Sequence, residues 1–358
     1  MKAVVTTGGT GGHIFPALAL MEKIKKESSL NEILYIGTED RLESTLIPER
    51  GYRFIGLRIH SFRKSISYNI KNLKDIHGAY KKCLNILKKE RPDVVIGFGG
   101  YVTFPVLLAA RKLKIKIVCH EQNVMPGKVN RILQKFADTV FVSFKESKEY
   151  LKNTKVVYSG NPAGARALEI EKHDKTKIGF SKNKKLIIIV MGSLGSGPVN
   201  EKIVEFLKDF KDKDKEVLFI GGKQYYEKLT KVNFGDNVKV VEFYNDLPAL
   251  MKDADLLITR AGASTLSEIL SVKIPSIIIP SPYVANNHQY YNALDFKNNK
   301  LGEMLEEKDL STESLREKID YVLDENNYKE MKKALNDTKV QPSCDIMYKE
   351  IENIIKNK

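Results

Sequence analysis

Tryptophan is absent from the 358 residues, and cysteine is scarce at three. Cys83, Cys119 and Cys344 lie far apart with no C-x-x-C. That excludes a disulfide scaffold and zinc-finger spacing, and it suits reduced thiols in the cytosol. Long hydrophobic runs are missing too. The longest, Leu186–Met191 and Ile277–Ile279, suit strands and fall far short of the roughly 20 residues of a membrane span. The chain enters an apolar run directly, without a charged leader and cleavage site, so we expect no signal peptide. Acidic residues are outnumbered, 45 against 59 Lys and Arg, which leaves a net charge of +14. Such a charge suits nucleic acid, an anionic membrane surface or a polyanionic substrate. No zinc-finger or RNP-type motif accompanies it, so we expect no nucleic acid partner. A lysine-rich surface alone would also account for it.

What is present is an alternation of short β-branched runs with helix-length segments. The first half has strand candidates at Lys2–Thr6, Ile33–Ile36, Phe54–Leu57, Val94–Gly97, Ile115–His120 and Thr139–Val142. The second half has them at Lys155–Ser159, Leu186–Met191, Val217–Ile220, Val238–Val241, Leu256–Thr259 and Ser276–Pro280. Continuous apolar strands between helices predict an α/β chain of two Rossmann-like, doubly wound domains facing across a cleft. The turn-rich Gly160–Ala165 reads as the linker. We therefore expect domains at 1–160 and 161–340, with a C-terminal helix in 341–358 packing back on the first.

Glycine loops punctuate the strand ends. Gly8-Gly9-Thr10-Gly11-Gly12-His13 follows the first strand and opens the first helix. Backbone without Cβ atoms ahead of a helix N-terminus suits an anion, phosphate above all. The spacing is neither the dinucleotide fingerprint nor the P-loop. A tight turn capped by histidine would look similar. Gly97-Phe98-Gly99-Gly100-Tyr101 follows another strand of the same edge, and two such loops suggest an extended anion such as a diphosphate. His120-Glu121-Gln122-Asn123 ends the next strand with hydrogen-bonding or general-base groups, although Asn123 could simply cap a helix.

The second half repeats the pattern. Met191-Gly192-Ser193-Leu194-Gly195-Ser196-Gly197 again lies between strand and helix. Arg260-Ala261-Gly262-Ala263-Ser264-Thr265 leaves a helix start open to phosphate, and Glu268 one turn on could accept both hydroxyls of a ribose, unless it is only a helix-start carboxylate. Asn286-Asn287-His288-Gln289 offers amides to sugar hydroxyls. Asp212-Lys213-Asp214 and Asp253-Ala254-Asp255 formally read D-x-D. The first lies in a lysine-rich turn and the second leads into a strand, so we expect neither metal nor cofactor.

In this order, Gly8–His13, Gly99-Gly100-Tyr101, His120–Asn123, Gly192-Ser193, Gly262…Glu268 and His288-Gln289-Tyr290-Tyr291-Asn292-Ala293 resemble the MurG family over nearly the whole chain. Those are peripheral-membrane, two-domain GT-B glycosyltransferases of peptidoglycan synthesis. The resemblance implies inverting transfer of N-acetylglucosamine from UDP-N-acetylglucosamine to the muramic acid 4-hydroxyl of lipid I, giving lipid II. It implies action at the cytoplasmic face of the cell membrane and a part in cell shape and division. It implies a C-terminal donor domain in which Glu268 takes the ribose. Ser193 with Ala263, Ser264 and Thr265 would take the diphosphate, and backbone at Tyr244 the uracil. His288 and Gln289 would hold the sugar, and Asn123 would reach it from the other domain. Gly8, Gly9, Thr10, Gly11, Gly12, Gly99, Gly100 and Tyr101 would take the acceptor's diphosphate. His13 is the expected general base, with Glu121 second. The family's linker reads Gly-Asn-Pro-Val-Arg, with its arginine near the base. Here Arg166 lies further along and is the candidate for that place. Leu194 stands where the family often has glutamine, and His288 where some members have a second one.

Two alternatives use the same fold: a UDP-N-acetylglucosamine epimerase and a non-catalytic UDP-sugar-binding regulator. A lipid-linked acceptor also gives the charge a use. Ile70, Leu73, Ile76, Tyr80, Leu84 and Leu87 recur at helical spacing over Asn69–Glu90 among Lys71, Lys74, Lys81, Lys82, Lys88 and Lys89, just after Arg63 and Lys64. This could be a basic amphipathic face on anionic lipid, or an ordinary helix burying its stripe.

Overall fold

The computed structural model describes residues 1–9, 11–60, 66–151, 155–192, 196–222, 225–284 and 287–357, and for 66–71 the backbone alone. Thr10, Arg63, Lys64, Ser193, Leu194, Gly195 and Asn286 lie outside it, as do the side chains of Ile70 and Lys71. The chain divides into two compact units, Met1–Ala165 with Gln341–Lys358, and Arg166–Val340.

The first unit holds strands β1 (Lys2–Thr6), β2 (Glu32–Thr38), β3 (Arg53–Leu57), β4 (Val94–Gly97), β5 (Lys116–Glu121), β6 (Thr139–Val142) and β7 (Val156–Tyr158). They form one parallel sheet in the order β3-β2-β1-β4-β5-β6-β7. The second unit holds β8 (Lys185–Val190), β9 (Lys215–Ile220), β10 (Val238–Val241), β11 (Leu256–Thr259), β12 (Ser276–Ile278) and β13 (Glu303–Met304). Their sheet runs β10-β9-β8-β11-β12-β13, also parallel throughout. Runs such as Val94–Ile96 and Ile187–Ile189 are fully buried because helices cover both faces.

The strand expected at Lys155–Ser159 belongs to the first sheet, where Val156 pairs with Val140. The turn-rich linker is a helix instead, Pro162–Glu169, and the division between units falls inside it. Pro162 needs no N–H in the first turn, and Asn161 Oδ1 accepts the Ala163 N–H at 3.0 Å. The two-residue β13 carries too little pattern to be seen in sequence.

The Ser343–Lys356 helix is part of the first unit and lies on the Gly11–Glu27 helix. Met347 and Ile351 are fully buried in one core cluster with Ile14, Met21 and Ile24. Lys23 pairs with Asp345, and Lys155 reaches Glu350 at 2.5 Å. Truncation of a buried isoleucine leaves a cavity, so Ile351→Ala should lower the stability of the first unit by about 2–5 kcal/mol in urea unfolding. A loss below about 0.5 kcal/mol, the range of surface substitutions, would contradict this packing.

Candidate active site

Each sheet reverses its winding once, between β1 and β4 in the first and between β8 and β11 in the second. Crossovers leave such a pair in opposite directions, so a crevice opens at the carboxyl ends of those strands. The four glycine-bearing segments of the sequence follow these four strands.

In the first unit the two loops are in backbone contact. A Cβ on Gly100 would lie 2.6 Å from the Gly8 carbonyl oxygen, and Gly100 has φ +83°. No other residue fits that place. Gly99 O accepts from Thr7 Oγ1 at 2.9 Å and Thr103 Oγ1 at 2.6 Å, which ties the loops together. Gly11, Gly12 and His13 form the first turn of the Gly11–Glu27 helix. The His13 ring lies against Gly99, its Cδ2 3.2 Å from where a Cβ would stand. Tyr101 approaches Gly9 from the other loop, its Cε1 3.7 Å from the corresponding point. The N–H of Gly9, however, faces Glu43, whose Oε1 and Oε2 are 3.3 and 3.5 Å away. That amide is therefore not directed at a ligand, contrary to the expectation for Gly9.

At the end of β5 the two titratable side chains are fasteners. His120 is fully buried, and its Nε2–H donates to the Gly160 carbonyl at 3.1 Å. Burial pulls its pKa down to about 4, against the opposing pull of that carbonyl, so the ring is neutral. Glu121 is 1% exposed. Its Oε1 accepts from the Asn123 N–H at 2.9 Å and Asn123 Nδ2 at 3.2 Å. Its Oε2 accepts from the Gly127 N–H at 3.0 Å and Asn130 Nδ2 at 2.8 Å. Four donors match the roughly four acceptor positions of a carboxylate. Glu121 therefore has no lone pair left for an acceptor hydroxyl, and this corrects its candidacy as a base. It folds the Asn123–Gly127 loop, and Asn123 is held by it in turn.

In the second unit the Ala263–Val272 helix starts at Gly262, which as a glycine supplies no side-chain cap. Ala263 and Ser264 are buried there. Arg260, 8% exposed, binds the segments around them together. Its Nη2 donates to Ser196 Oγ at 2.6 Å and its Nη1 to the Ile279 carbonyl at 3.2 Å. Nη1 also pairs with Glu307 Oε2 at 2.7 Å. Asn292 Nδ2 donates to the Ala261 carbonyl from the His288–Asn298 helix. Gln289 Oε1 accepts the Ser281 N–H at 2.9 Å, which leaves its second lone pair and its Nε2. Arg166 Nη2 donates to Asp246 Oδ1 at 2.8 Å and lies within electrostatic reach of Glu268. Tyr244 Oη is 3.2 Å from His173 Nδ1. Burial pushes the Glu268 carboxyl up to about 8, and Arg166 pulls the other way. Among the described residues no hydrogen-bond donor reaches that carboxyl.

Three of the four D-x-D carboxylates have structural partners. Asp212 pairs with Lys215 at 2.5 Å and accepts the Asp214 N–H at 2.8 Å. Asp253 pairs with Lys172 and accepts the Lys175 N–H, and Asp255 accepts the Leu186 N–H. Glu43 and Asn130 carried no functional signal in the sequence, and Arg260 and Asn292 entered it only as members of longer motifs.

The pattern of known proteins agrees with this layout. Residues 3–142 match the glycosyltransferase family 28 N-terminal domain and residues 186–346 the family 28 C-terminal domain. A protein of Caldanaerobacter subterraneus is 41% identical over 94% of this chain and 96% of its own length. One of Bacillus cytotoxicus is 38% identical over 99% and 100%. Both are named UDP-N-acetylglucosamine–N-acetylmuramyl-(pentapeptide) pyrophosphoryl-undecaprenol N-acetylglucosamine transferase. The crystal structure of Acinetobacter baumannii MurG superposes with a TM-score of 0.77 at 24% identity, covering 98% of this chain and 99% of that one. A Neisseria meningitidis UDP-GlcNAc 2-epimerase reaches 0.69 at 16% identity over 99% and 100%, a likeness of fold alone. The chain belongs to glycosyltransferase family 28 and, within it, to the MurG family of N-acetylglucosamine transferases.

Proposed function

We propose that this protein transfers N-acetylglucosamine from UDP-N-acetylglucosamine to the muramic acid 4-hydroxyl of lipid I, forming lipid II with inversion at the anomeric carbon. The observation that carries the proposal is near-full-length identity of 41% and 38% to proteins named for that transfer. The first unit takes the acceptor and the second the donor. The uncapped helix start at Ala263-Ser264-Thr265 faces the UDP diphosphate and stabilises the charge that develops on it. Glu268 accepts the two ribose hydroxyls, backbone near Tyr244 meets the uracil, and Gln289 with His288 holds the sugar. Gln289 would do so through Nε2 or the second lone pair of its oxygen, the first being held by the Ser281 N–H. Arg166, beside Glu268, sets the charge at the ribose end.

His13 removes the proton from the attacking hydroxyl. In its favour are its position in the first helical turn beside Gly99 and the saturation of Glu121. Acceptor-dependent release of UDP should be seen with a lipid I analogue and not without it. His13→Ala should lower kcat by about 10²–10⁴ and leave UDP binding within about twofold. Near-normal turnover in that variant would remove His13 from the mechanism. Free N-acetylmannosamine from donor alone would point to epimerisation instead.

The raised pKa of Glu268 gives the ribose role a pH signature. The ionised carboxylate accepts two hydroxyls far more strongly than the protonated one, and below about pH 8 a proton must leave first. Affinity for uridine, which has no titrating phosphate, should therefore weaken as pH falls below about 8, approaching about tenfold per unit. Glu268→Gln should bind weakly at every pH. A wild type whose uridine affinity is flat between pH 6 and 8 would sink the role.

Membrane association rests on a different surface. A groove of about 590 Å³ is floored by Leu73, Ile76, Tyr80, Pro105 and Leu108 and rimmed by His77, Arg111, Lys112 and Lys114. Leu73 is 55% exposed, whereas Leu87 is buried and Ile76, Tyr80 and Leu84 pack against the core. The helical stripe is thus mostly core, and its exposed end with the basic rim is the part that meets anionic lipid, at the cytoplasmic face of the membrane. The protein should sediment with anionic vesicles at low salt and be released at high salt, and Leu73→Glu should weaken sedimentation. Failure to sediment at low salt would overturn this. Among the described residues no helix is long and apolar enough to cross a membrane.

A further inference from the structure

Glu43 is fully buried, yet it lies in a stretch, Glu39-Asp40-Arg41-Leu42-Glu43, that reads as charged surface. It opens the Glu43–Glu49 helix after β2. Three donors converge on its Oε1: Thr38 Oγ1 at 2.6 Å, the Thr38 N–H at 3.1 Å and the Gly9 N–H at 3.3 Å. The chain has been shaped to admit this one carboxyl. A Cβ on Gly8 would run into Glu43 Oε1, and a Cβ on Gly37 would lie 2.8 Å from Glu43 Cγ. Gly8 is therefore glycine to make room for a protein side chain, where its loop had suggested room for a ligand.

The consequence passes along the chain. Gly9 holds φ +99° with its N–H turned to Glu43. Two residues on, Gly11 starts the helix that carries His13. On the other side the Gly8 carbonyl rests on Gly100, and Gly100 adjoins Gly99, against which the His13 ring lies. Glu43 thus sits directly behind the first loop and reaches the second only through Gly8.

The geometry points to Glu43 as a positioning residue for the acceptor side of the reaction. By fixing the Gly8-Gly9 peptide it sets where the His13 imidazole stands and how the two glycine loops meet. This rests on the reading of the first unit as the acceptor's.

The test compares wild type, Glu43→Ala, Glu43→Gln and Gly8→Ala in the full chain. Four quantities are measured: acceptor and donor kinetic constants, UDP binding, the thermal midpoint, and the His13 ring resonances by NMR. Glu43→Ala and Gly8→Ala should each lower kcat/KM for a lipid I analogue by about tenfold or more, with donor KM and UDP binding within about twofold. The His13 resonances should move while those of His173 and His288, in the other unit, stay put. Glu43→Gln should recover most of the loss, since its amide oxygen still accepts from Thr38. A folded Glu43→Ala with unmoved His13 resonances overturns the inference. So does a loss of donor affinity in step with the acceptor, or a Glu43→Gln no better than Glu43→Ala. Should Glu43→Ala fail to fold, Gly8→Ala decides by the same readings. A wild type inert toward the acceptor would count against the transfer itself, and the His13 resonances would still judge Glu43.

Discussion

A parallel sheet wound on both faces by right-handed crossovers opens a crevice where two adjacent strands send their crossovers opposite ways. This chain has that reversal twice, at β1/β4 and at β8/β11. In the first sheet β1 and β4 pair with Thr6 opposite Gly97, so both chains leave the ladder at the same level. Their loops must then share one small space. Only residues without a Cβ allow the Gly8 carbonyl to rest on Gly100. His13, Gly9 and Glu43 are all grouped around that contact.

At those same levels the backbone runs out of ladder partners, and buried polar groups must find others. Side chains supply them. Glu121 folds the loop after β5, His120 holds Gly160, and Arg260 draws together Ser196, Ile279 and Glu307. These residues look like chemistry in a sequence because they are titratable and stand at strand ends. Their hydrogen bonds mark them as fasteners. Glu268 is different in kind. Burial pushes its half-buried carboxyl up to about 8, which marks it as a candidate site residue.

Much of this was legible in the residues alone. Each strand of four residues or more was expected within a residue or two, because its apolar run is continuous and its neighbours in sequence are turn-formers. Both pairs of glycine-bearing loops were visible for the same local reason. The division between the units falls at the end of the expected linker, but its helix was not legible, because Gly160-Asn161-Pro162 reads as a turn while its proline and asparagine are also what a helix start uses. The stripe on the Ile66–Glu90 helix could not be split into core and surface, since periodicity reports a face and not what covers it.

The amino-acid sequence by itself determined the alternation of strands and helices, the glycine loops at strand ends, the basic charge and the ordered motifs that mark the family. These depend on residues close together in the chain. The tertiary structure alone decided which loops touch, which sheet β7 joins and which helix the Ser343–Lys356 segment covers. It also decided that Glu121 is saturated and that Glu43, 34 residues from Gly9, takes the N–H a ligand was expected to use. The reason is physical. A hydrogen bond across that separation exists only once strand order has brought its donor and acceptor together, and no local pattern records that order.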